Sequence, residues 1–267
     1  MLKKSLGLAS VIAVTVVVLC VTSFADAGLI ASDNFNRADG NLVGTLPTPG
    51  PGLAWAAHSG TNGPVQITNN QIKIWQGPSG TYAQDVNLPT GLVMAAGDRW
   101  YAGFDVVVEQ PGTAITSVYF ANFLTGTTQF TSRLWVTAPT TSGFRFALSN
   151  GSSLTPTTGS AAFTGDLALS QVYRVVISYD FTGANGALWI DQPLETGTSF
   201  VPTDTGFSNA VTAFAFRQGS PSGAVTTTQT IDNLNVASTY VEAYTGVPEP
   251  STLVLLGFGA LALIRRR

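Results

Sequence analysis

The glutamates and the single histidine of the chain are too few and too dispersed to predict a catalytic site. Retaining glycoside hydrolysis uses two carboxyl groups about 5–5.5 Å apart, a spacing that alternate positions of one strand can supply. The glutamates of residues 28–246 are far apart in the sequence: Glu109, Glu195 and Glu242. His58 is the only histidine and is predicted to lie in a surface loop. The sequence therefore predicts no enzymatic activity, although carboxylates from separate strands could still meet in the fold.

Two groups of oxygen-bearing side chains suggest calcium as the one cofactor of this protein. The groups are Asp33, Asn34 and Asp39 near the start of the region, and Asp232 and Asn233 near its end. Calcium takes six to eight oxygen ligands, often from loops. Asp and Asn in such places also cap turns and bond their own backbone, which is the alternative interpretation. A shared site requires the first and last strands to be neighbours.

Aromatic residues supply candidates for stacking against a sugar ring. Four of the five tryptophans lie in predicted strands with apolar neighbours and are predicted to belong to the core: Trp75, Trp100, Trp135 and Trp189. Trp55 lies in a stretch rich in Gly and Pro. The sequence-based candidates for ligand binding are therefore Trp55, Tyr82 and Tyr101.

The strands that must position these residues are short and separated by turn residues. Residues 65–68 and 71–75 flank Asn69-Asn70, a pair typical of a type I′ hairpin because Asn tolerates the left-handed region. Residues 172–180 alternate between two faces, one of which carries Tyr173, Val175, Ile177 and Tyr179. No stretch of residues 28–246 has a convincing helical period. The pattern predicts an all-β sandwich or barrel.

The N-terminus has the three parts of a signal peptide. Lys3 and Lys4 precede the apolar residues 6–21, and Ala25-Asp26-Ala27 fits the rule for a cleavage site between small residues. We predict cleavage after Ala27. An uncleaved membrane anchor is the alternative, whereas lipidation of Cys20 is disfavoured because Leu19 precedes it.

The C-terminus combines a proline motif, an apolar run and a basic end. Val247, Pro248, Glu249 and Pro250 are predicted to be extended, since proline disfavours helix at its own and the preceding position. Ser251 can cap a helix over the uncharged residues 252–264, and three arginines follow at 265–267. The run is shorter than the ~20 residues of a full membrane span, but terminal arginines can extend it by reaching the headgroups. The alternative is a C-terminal core helix.

This tail resembles the PEP-CTERM sorting tail of exported bacterial proteins, over residues 247–267. The resemblance implies processing by an exosortase, a membrane enzyme similar to cysteine transpeptidases. It further implies export, a precursor held in the membrane, cleavage near Pro248-Glu249-Pro250, and delivery to the cell surface or an exopolysaccharide matrix.

Residues 28–241 resemble bacterial concanavalin A-like and laminin G-like jelly rolls. The resemblance rests on three stretches of sequence: 33–40, the hairpin from Tyr173 to Asp191, and 213–219 followed by 230–236. It implies two packed antiparallel sheets whose first and last strands are adjacent, so that the two oxygen-rich groups could converge. Such domains bind glycans or proteins, and some relatives hydrolyse polysaccharides.

Composition limits the partners. Residues 28–246 carry seven Lys and Arg against thirteen Asp and Glu, a net charge of −6 that argues against nucleic acid. Cys20 is the only cysteine, which excludes Cys/His zinc sites and disulfides.

We predict a signal peptide (1–27), a jelly-roll antiparallel β-sandwich (28–241), a linker with the proline motif (242–250), a short transmembrane helix (251–264) and a basic cytoplasmic end (265–267). The predicted partners are an exosortase, the membrane for the precursor, and an exopolysaccharide or another glycan, and the predicted role is non-catalytic binding or adhesion. A purely structural matrix protein and a polysaccharide-degrading enzyme are the alternatives.

Overall fold

The computed structural model describes residues 28–78, 80–112, 114–151, 156, 161–204, 206–219 and 225–247. The predicted signal peptide with Ala25 and Ala27, the motif residues Pro248, Glu249 and Pro250, and the predicted membrane helix lie outside these residues. Residues 29–246 form one compact unit.

The described part of the chain is built from short strands and one short helix, α1. Their bounds are β1 Leu29–Asp33, β2 Gly40–Asn41, β3 Ala56–Ser59, β4 Gln66–Thr68, β5 Gln71–Gln76, β6 Asp85–Pro89, β7 Arg99–Glu109, β8 Val118–Thr125, β9 Gln129–Thr137, β10 Arg145–Ser149, β11 Ala162–Phe163, β12 Val172–Asp180, β13 Leu188–Ile190, β14 Ala213–Phe216, β15 Thr227–Ala237 and α1 Tyr240–Thr245.

The strands form two antiparallel sheets. Sheet A has eight strands in the order β13-β12-β7-β15-β5-β4-β2, with β1 paired to β15, and sheet B has seven in the order β11-β10-β9-β8-β14-β6-β3. β1 runs antiparallel to β15, with Asp33 opposite Leu234. The prediction that the first and last strands are neighbours is therefore confirmed.

The core lies between the two sheets and is rich in phenylalanine. Phe104 of sheet A contacts Phe120, Phe214 and Phe216 of sheet B, with ring centroids 6.2, 5.9 and 5.5 Å away. Alternation along each strand turns one face to this core. On β12, Val175, Ile177 and Tyr179 are fully buried in it. The predicted all-β, two-sheet arrangement is confirmed.

Helix α1 covers part of the outer face of sheet A. Tyr240 and Ala243 pack there against Tyr101, Val176 and Trp189 in a second buried cluster. Thr239 caps the helix, accepting from the Glu242 amide, and Gly246 ends it at φ 69°. Residues 242–246, predicted as linker, thus belong to a packed helix and its cap. Because α1 has only six residues, its sequence is too short to show a helical period.

Candidate functional site

An open depression of about 550 Å³ lies on the outer face of sheet A, beside α1. The side chains able to contact a ligand there are a carboxylate, a guanidinium, three amides and an aromatic ring: Asp105, Arg174, Asn34, Asn233, Asn235 and Tyr244. These residues come from β7, β12, the end of β1, β15 and α1. The depression therefore exists only when distant parts of the chain have come together.

A bulge in β15 shapes one side of the depression. The pairing between β15 and β7 shifts register between Asp232 and Asn235, and Asn233 adopts a φ of 50°. Such an insertion bends the strand and redirects its side chains. Asn233 consequently donates from Nδ2 to Asp105 Oδ2 at 2.8 Å.

Arg174 joins the three elements around the depression. Its Nη1 donates to Asp105 Oδ1 at 3.3 Å and to the carbonyl oxygen of Asn233 at 2.8 Å. Its Nη2 donates to the carbonyl oxygen of Ala243 at 2.7 Å, which ties α1 to the sheet. The planar, multiply donating guanidinium suits such bridging, which a lysine ammonium cannot reproduce.

The close approach of α1 requires glycine on β7. A methyl group on Gly103 would come within 2.0 Å of the Ala243 carbonyl oxygen and 3.1 Å of Arg174 Nη2. Glycine therefore lets the helix lie directly on the strand. This contact places Tyr244 at the rim of the depression, where the Arg174 guanidinium lies 5.8 Å from its ring centroid.

The charges of the site are partly withdrawn from water. Burial lowers the pKa of Arg174, an effect that Asp105 opposes. Burial raises the pKa of the neighbouring Asp232, opposed by the amide of Asn233 and the side chain of Gln71. The site thus pairs the desolvated Arg174 with Asp105, whose carboxylate stays within reach of solvent.

Asp33, a predicted calcium ligand, lies in a different environment. Its side chain is fully buried and accepts two bonds from Arg37 at 2.7 and 2.8 Å. It also accepts from Trp55 Nε1 at 2.7 Å and from the amides of Phe35 and Thr48 at 2.8 and 3.3 Å. Five N–H donors occupy the two oxygens, so Asp33 ties together the turn that follows β1.

The other predicted calcium ligands are divided between turns and the depression. Asp39 accepts from the Asn69 amide at 3.0 Å and fixes the β4–β5 hairpin. Asp232 accepts from the amide of Asn233 at 2.7 Å. Asn34 and Asn233 line the depression. Within the described ranges, no three His, Cys, Asp or Glu residues are grouped as a metal site. Calcium therefore stays a prediction.

The three aromatic candidates have different exposures. Trp55 is 1% exposed and packs between Phe35 and Phe216. Tyr101 is buried beside α1 and donates its hydroxyl to Glu195 at 2.7 Å. Tyr82 is partly exposed and stacks on Trp75, with ring centroids 5.1 Å apart. Of the candidates, Tyr82 alone keeps ring surface at the outer face of the protein.

His58 does not lie in a loop. It belongs to β3, its side chain is 4% exposed, and its Nε2 is 3.9 Å from Asp85 Oδ2. Burial lowers the pKa of His58, while Asp85 opposes this shift. The Gly- and Ser-rich sequence around His58 is typical of a loop, which is why the sequence did not predict strand β3.

Sequence reasoning missed Asp105, Arg174 and Tyr244 as site residues. The alternation of residues 172–180 did place Arg174 on the face opposite the core, and a single arginine there was the available signal. Its partner Asp105 is 69 residues away, and no local pattern indicates their pairing.

Comparison with known proteins assigns the C-terminus. Residues 246–267 match the family described as the PEP-CTERM protein-sorting motif. The motif implies an exported protein whose membrane-anchored precursor is processed by an exosortase. No helix in the described part of the chain is long and apolar enough to cross a membrane. A search of curated proteins found no match to this chain.

Solved structures share the fold at low sequence identity. One was described under the statement that cell entry of botulinum neurotoxin type C depends on interaction with two ganglioside molecules. It is 10% identical to this chain with a TM-score of 0.51, and the match covers 90% of this chain and 52% of the neurotoxin chain. Another is the binding domain of botulinum neurotoxin DC in complex with SialylT: identity 10%, TM-score 0.51, coverage 88% and 51%.

A sialidase matches with 17% identity and a TM-score of 0.48, over 71% of this chain and 17% of the sialidase chain. The present chain thus spans about half of each neurotoxin chain and a smaller part of the sialidase. These likenesses concern the fold alone. The chain is a two-sheet, all-β protein whose C-terminus carries a PEP-CTERM protein-sorting motif.

Proposed function

We propose that this protein is a non-catalytic glycan-binding module of the cell surface or extracellular matrix, and that the depression beside α1 is its binding site. In this proposal the signal peptide is removed after Ala27, and residues 251–264 hold the precursor in the membrane until the exosortase acts. In the same proposal the two sheets have the jelly-roll topology of lectin-like domains. The two neurotoxin structures, described with gangliosides and with SialylT, support a glycan as ligand.

The chemistry of the depression is the observation that carries the proposal. A sugar presents adjacent hydroxyl groups that donate and accept hydrogen bonds, together with an apolar C–H face. Asp105 offers carboxylate oxygens, Arg174 and the amides offer donors, and Tyr244 offers ring surface at the rim. A few polar groups around an aromatic wall are typical of small-ligand sites.

The placement of the carboxylates supports a non-catalytic role. Asp105 is the only carboxylate among the described residues that line the depression, whereas glycoside hydrolysis ordinarily uses two. The glutamates have other partners. Glu109 accepts from Ser170, Glu195 from Tyr101, and Glu242 from its capping residue Thr239.

Binding to immobilised polysaccharides tests the proposal. We would purify the full-length chain in mild detergent and compare wild type with Asp105→Asn, which keeps the side-chain shape and removes the charge. We expect wild type to be retained by at least one polysaccharide and D105N to bind at least about tenfold more weakly, since hydrogen bonds to charged groups contribute about 1.5–3 kcal/mol.

Asp180→Asn is the matched control, because it also breaks an Arg–Asp pair, with Arg99, at the far end of β12. D180N should bind as wild type does. If D105N binds the polysaccharide as tightly as wild type does, the depression is not the binding site. A folded wild-type protein that binds none of the polysaccharides would favour the purely structural role.

A further inference from the structure

The outward side chains of sheet A form rows that continue from the depression along the strands. The first row runs across β15, β7 and β12 as Asp232, Asp105 and Arg174. The inward residues between the rows belong to the core, which fixes the outward direction of these side chains. The depression is therefore one end of a longer outer surface.

Two further rows follow along the same strands. The second row contains Lys73, Thr230, Val107 and Val172, and the third contains Trp75, Thr228 and Glu109. Asp105 and Glu109 are four positions apart on β7, which is about 13 Å at the usual rise of a strand. A single sugar ring cannot contact both ends, whereas an oligosaccharide can.

The part of the second row on β7 and β12 is apolar and open. Val172 is 66% exposed, and Val107, opposite it on β7, is partly exposed. Neighbouring Thr230 adds a hydroxyl on β15. A floor of this kind can accept the C–H face of a sugar without the desolvation cost that charged residues would add.

The far end combines aromatic rings with a cation. Trp75 and Tyr82 are both partly exposed and nearly parallel, with an interplanar angle of 11°. The Lys73 ammonium lies 4.9 Å from the Trp75 ring centroid, within the range of a cation–π contact. This contact holds the ammonium at the surface, beside the rings.

Lys73 is the only lysine in residues 28–247. Among the described residues no carboxylate lies within 4.0 Å of its ammonium, whereas Arg37, Arg99 and Arg174 each have such a partner. An ammonium with three donors and no carboxylate partner favours an anionic group in the ligand.

We propose that the surface formed by Lys73, Trp75 and Tyr82 is a second contact area for a glycan chain that enters the depression, and that it takes an anionic sugar. The ligand is then an acidic oligosaccharide that crosses sheet A from β7 over β15 to β5. One sugar occupies the depression at Asp105 and Arg174, and a sugar bearing a carboxylate or sulfate lies over Lys73. This inference rests on the glycan-binding function proposed above.

Calorimetric titration of the full-length chain with matched probes tests this inference. The probes are uronate oligosaccharides from alginate and pectate, each with its carboxyl-reduced counterpart. A heparin oligosaccharide, which also bears sulfate, is compared with a counterpart that is carboxyl-reduced, desulfated and N-acetylated, and therefore neutral. Lys73→Met removes the charge and keeps the stem length. We expect K73M to weaken binding of the preferred acidic probe about tenfold and to leave its neutral counterpart unchanged.

Two further variants separate the possible outcomes. D105N should weaken the acidic and the neutral probe alike, and Tyr82→Leu should weaken both to a smaller extent. If D105N weakens binding while K73M binds every acidic probe as wild type does, this inference is overturned and the proposed function stands. If wild type binds none of these probes but is retained by another immobilised polysaccharide, this inference is overturned and the proposed function stands; if it is retained by none, both are overturned. Unchanged melting temperatures of K73M and Y82L confirm that they are folded.

Discussion

Two aspartate–arginine pairs of this protein have the same chemistry and opposite surroundings. The Asp33 side chain is fully buried beside Arg37 and accepts from five N–H groups. The Asp105 side chain is 29% exposed and accepts from Arg174 and Asn233. A saturated, buried carboxylate holds the chain together, whereas a partly exposed one keeps acceptor capacity for a ligand.

The comparison explains why residue type alone misdirects site prediction. Asp33 and Trp55 had the residue types of a binding site, yet they bond to each other across 22 residues of sequence in the core. Asp105 had no distinguishing neighbours in sequence but lies at the depression. Burial and the number of donors separate structural from binding carboxylates.

Removal of the buried carboxylate should have the largest effect. Asp33→Ala leaves the Arg37 charge without its partner, at a site that is only 16% exposed. We expect the free energy of unfolding to fall by about 3–5 kcal/mol, measured by urea denaturation. Asp39→Ala, which removes one exposed hydrogen bond to Asn69, should cost about 1 kcal/mol. Equal losses for the two variants would contradict a special role for Asp33.

Removal of the arginine at the depression should have the next largest effect. Arg174→Ala deletes the bonds to Asp105, Asn233 and Ala243, and we expect a loss of about 2–3 kcal/mol in unfolding free energy. Hydrogen exchange at the amides of α1 should accelerate, because the anchor of the helix is gone. Arg99→Ala breaks an exposed pair with Asp180 and should cost less than about 1 kcal/mol. Unchanged exchange in α1 would show that the helix does not depend on Arg174.

Calcium provides a third way to test the comparison. A ligand present at a hundred times its Kd raises the unfolding free energy by about 2.7 kcal/mol. The oxygens of Asp33 are saturated, and Asp105 is the only carboxylate among the described residues that line the depression, whereas calcium takes six to eight oxygen ligands. We therefore expect equal melting temperatures in millimolar calcium and in EDTA. A higher melting temperature in calcium that Asp33→Asn abolishes would instead support the calcium site predicted from the sequence.

The smallest effect concerns Asp232, which lies beside Asp105. Burial raises its pKa in the folded state above the ordinary 3.8. The folded protein therefore binds a proton more readily than the unfolded chain, and this group lowers stability as pH rises through its folded pKa. Asp232→Asn should melt slightly higher than wild type at pH 7, with the difference vanishing near pH 3. A lower melting temperature at pH 7 would contradict this sign.

Local patterns predicted the elements better than the site. The Asn69-Asn70 hairpin was predictable because both residues tolerate positive φ, and they adopt 52° and 61°. The two faces of β12 followed from alternation. The depression was not predictable because it needs the β15 bulge and the pairing of β7 with β12, neither of which has a local signature. The short helix α1, which it also needs, is marked in the sequence only by its capping residues Thr239, Glu242 and Gly246.

The most direct measurement of the central claim is the affinity of wild type, D105N and D180N for the same retained polysaccharide, at equal folded fraction. If the depression binds the glycan, D105N loses affinity at least about tenfold while D180N equals wild type. If D105N binds as tightly as wild type, or if D180N weakens binding as much, the depression is not the binding site of this protein.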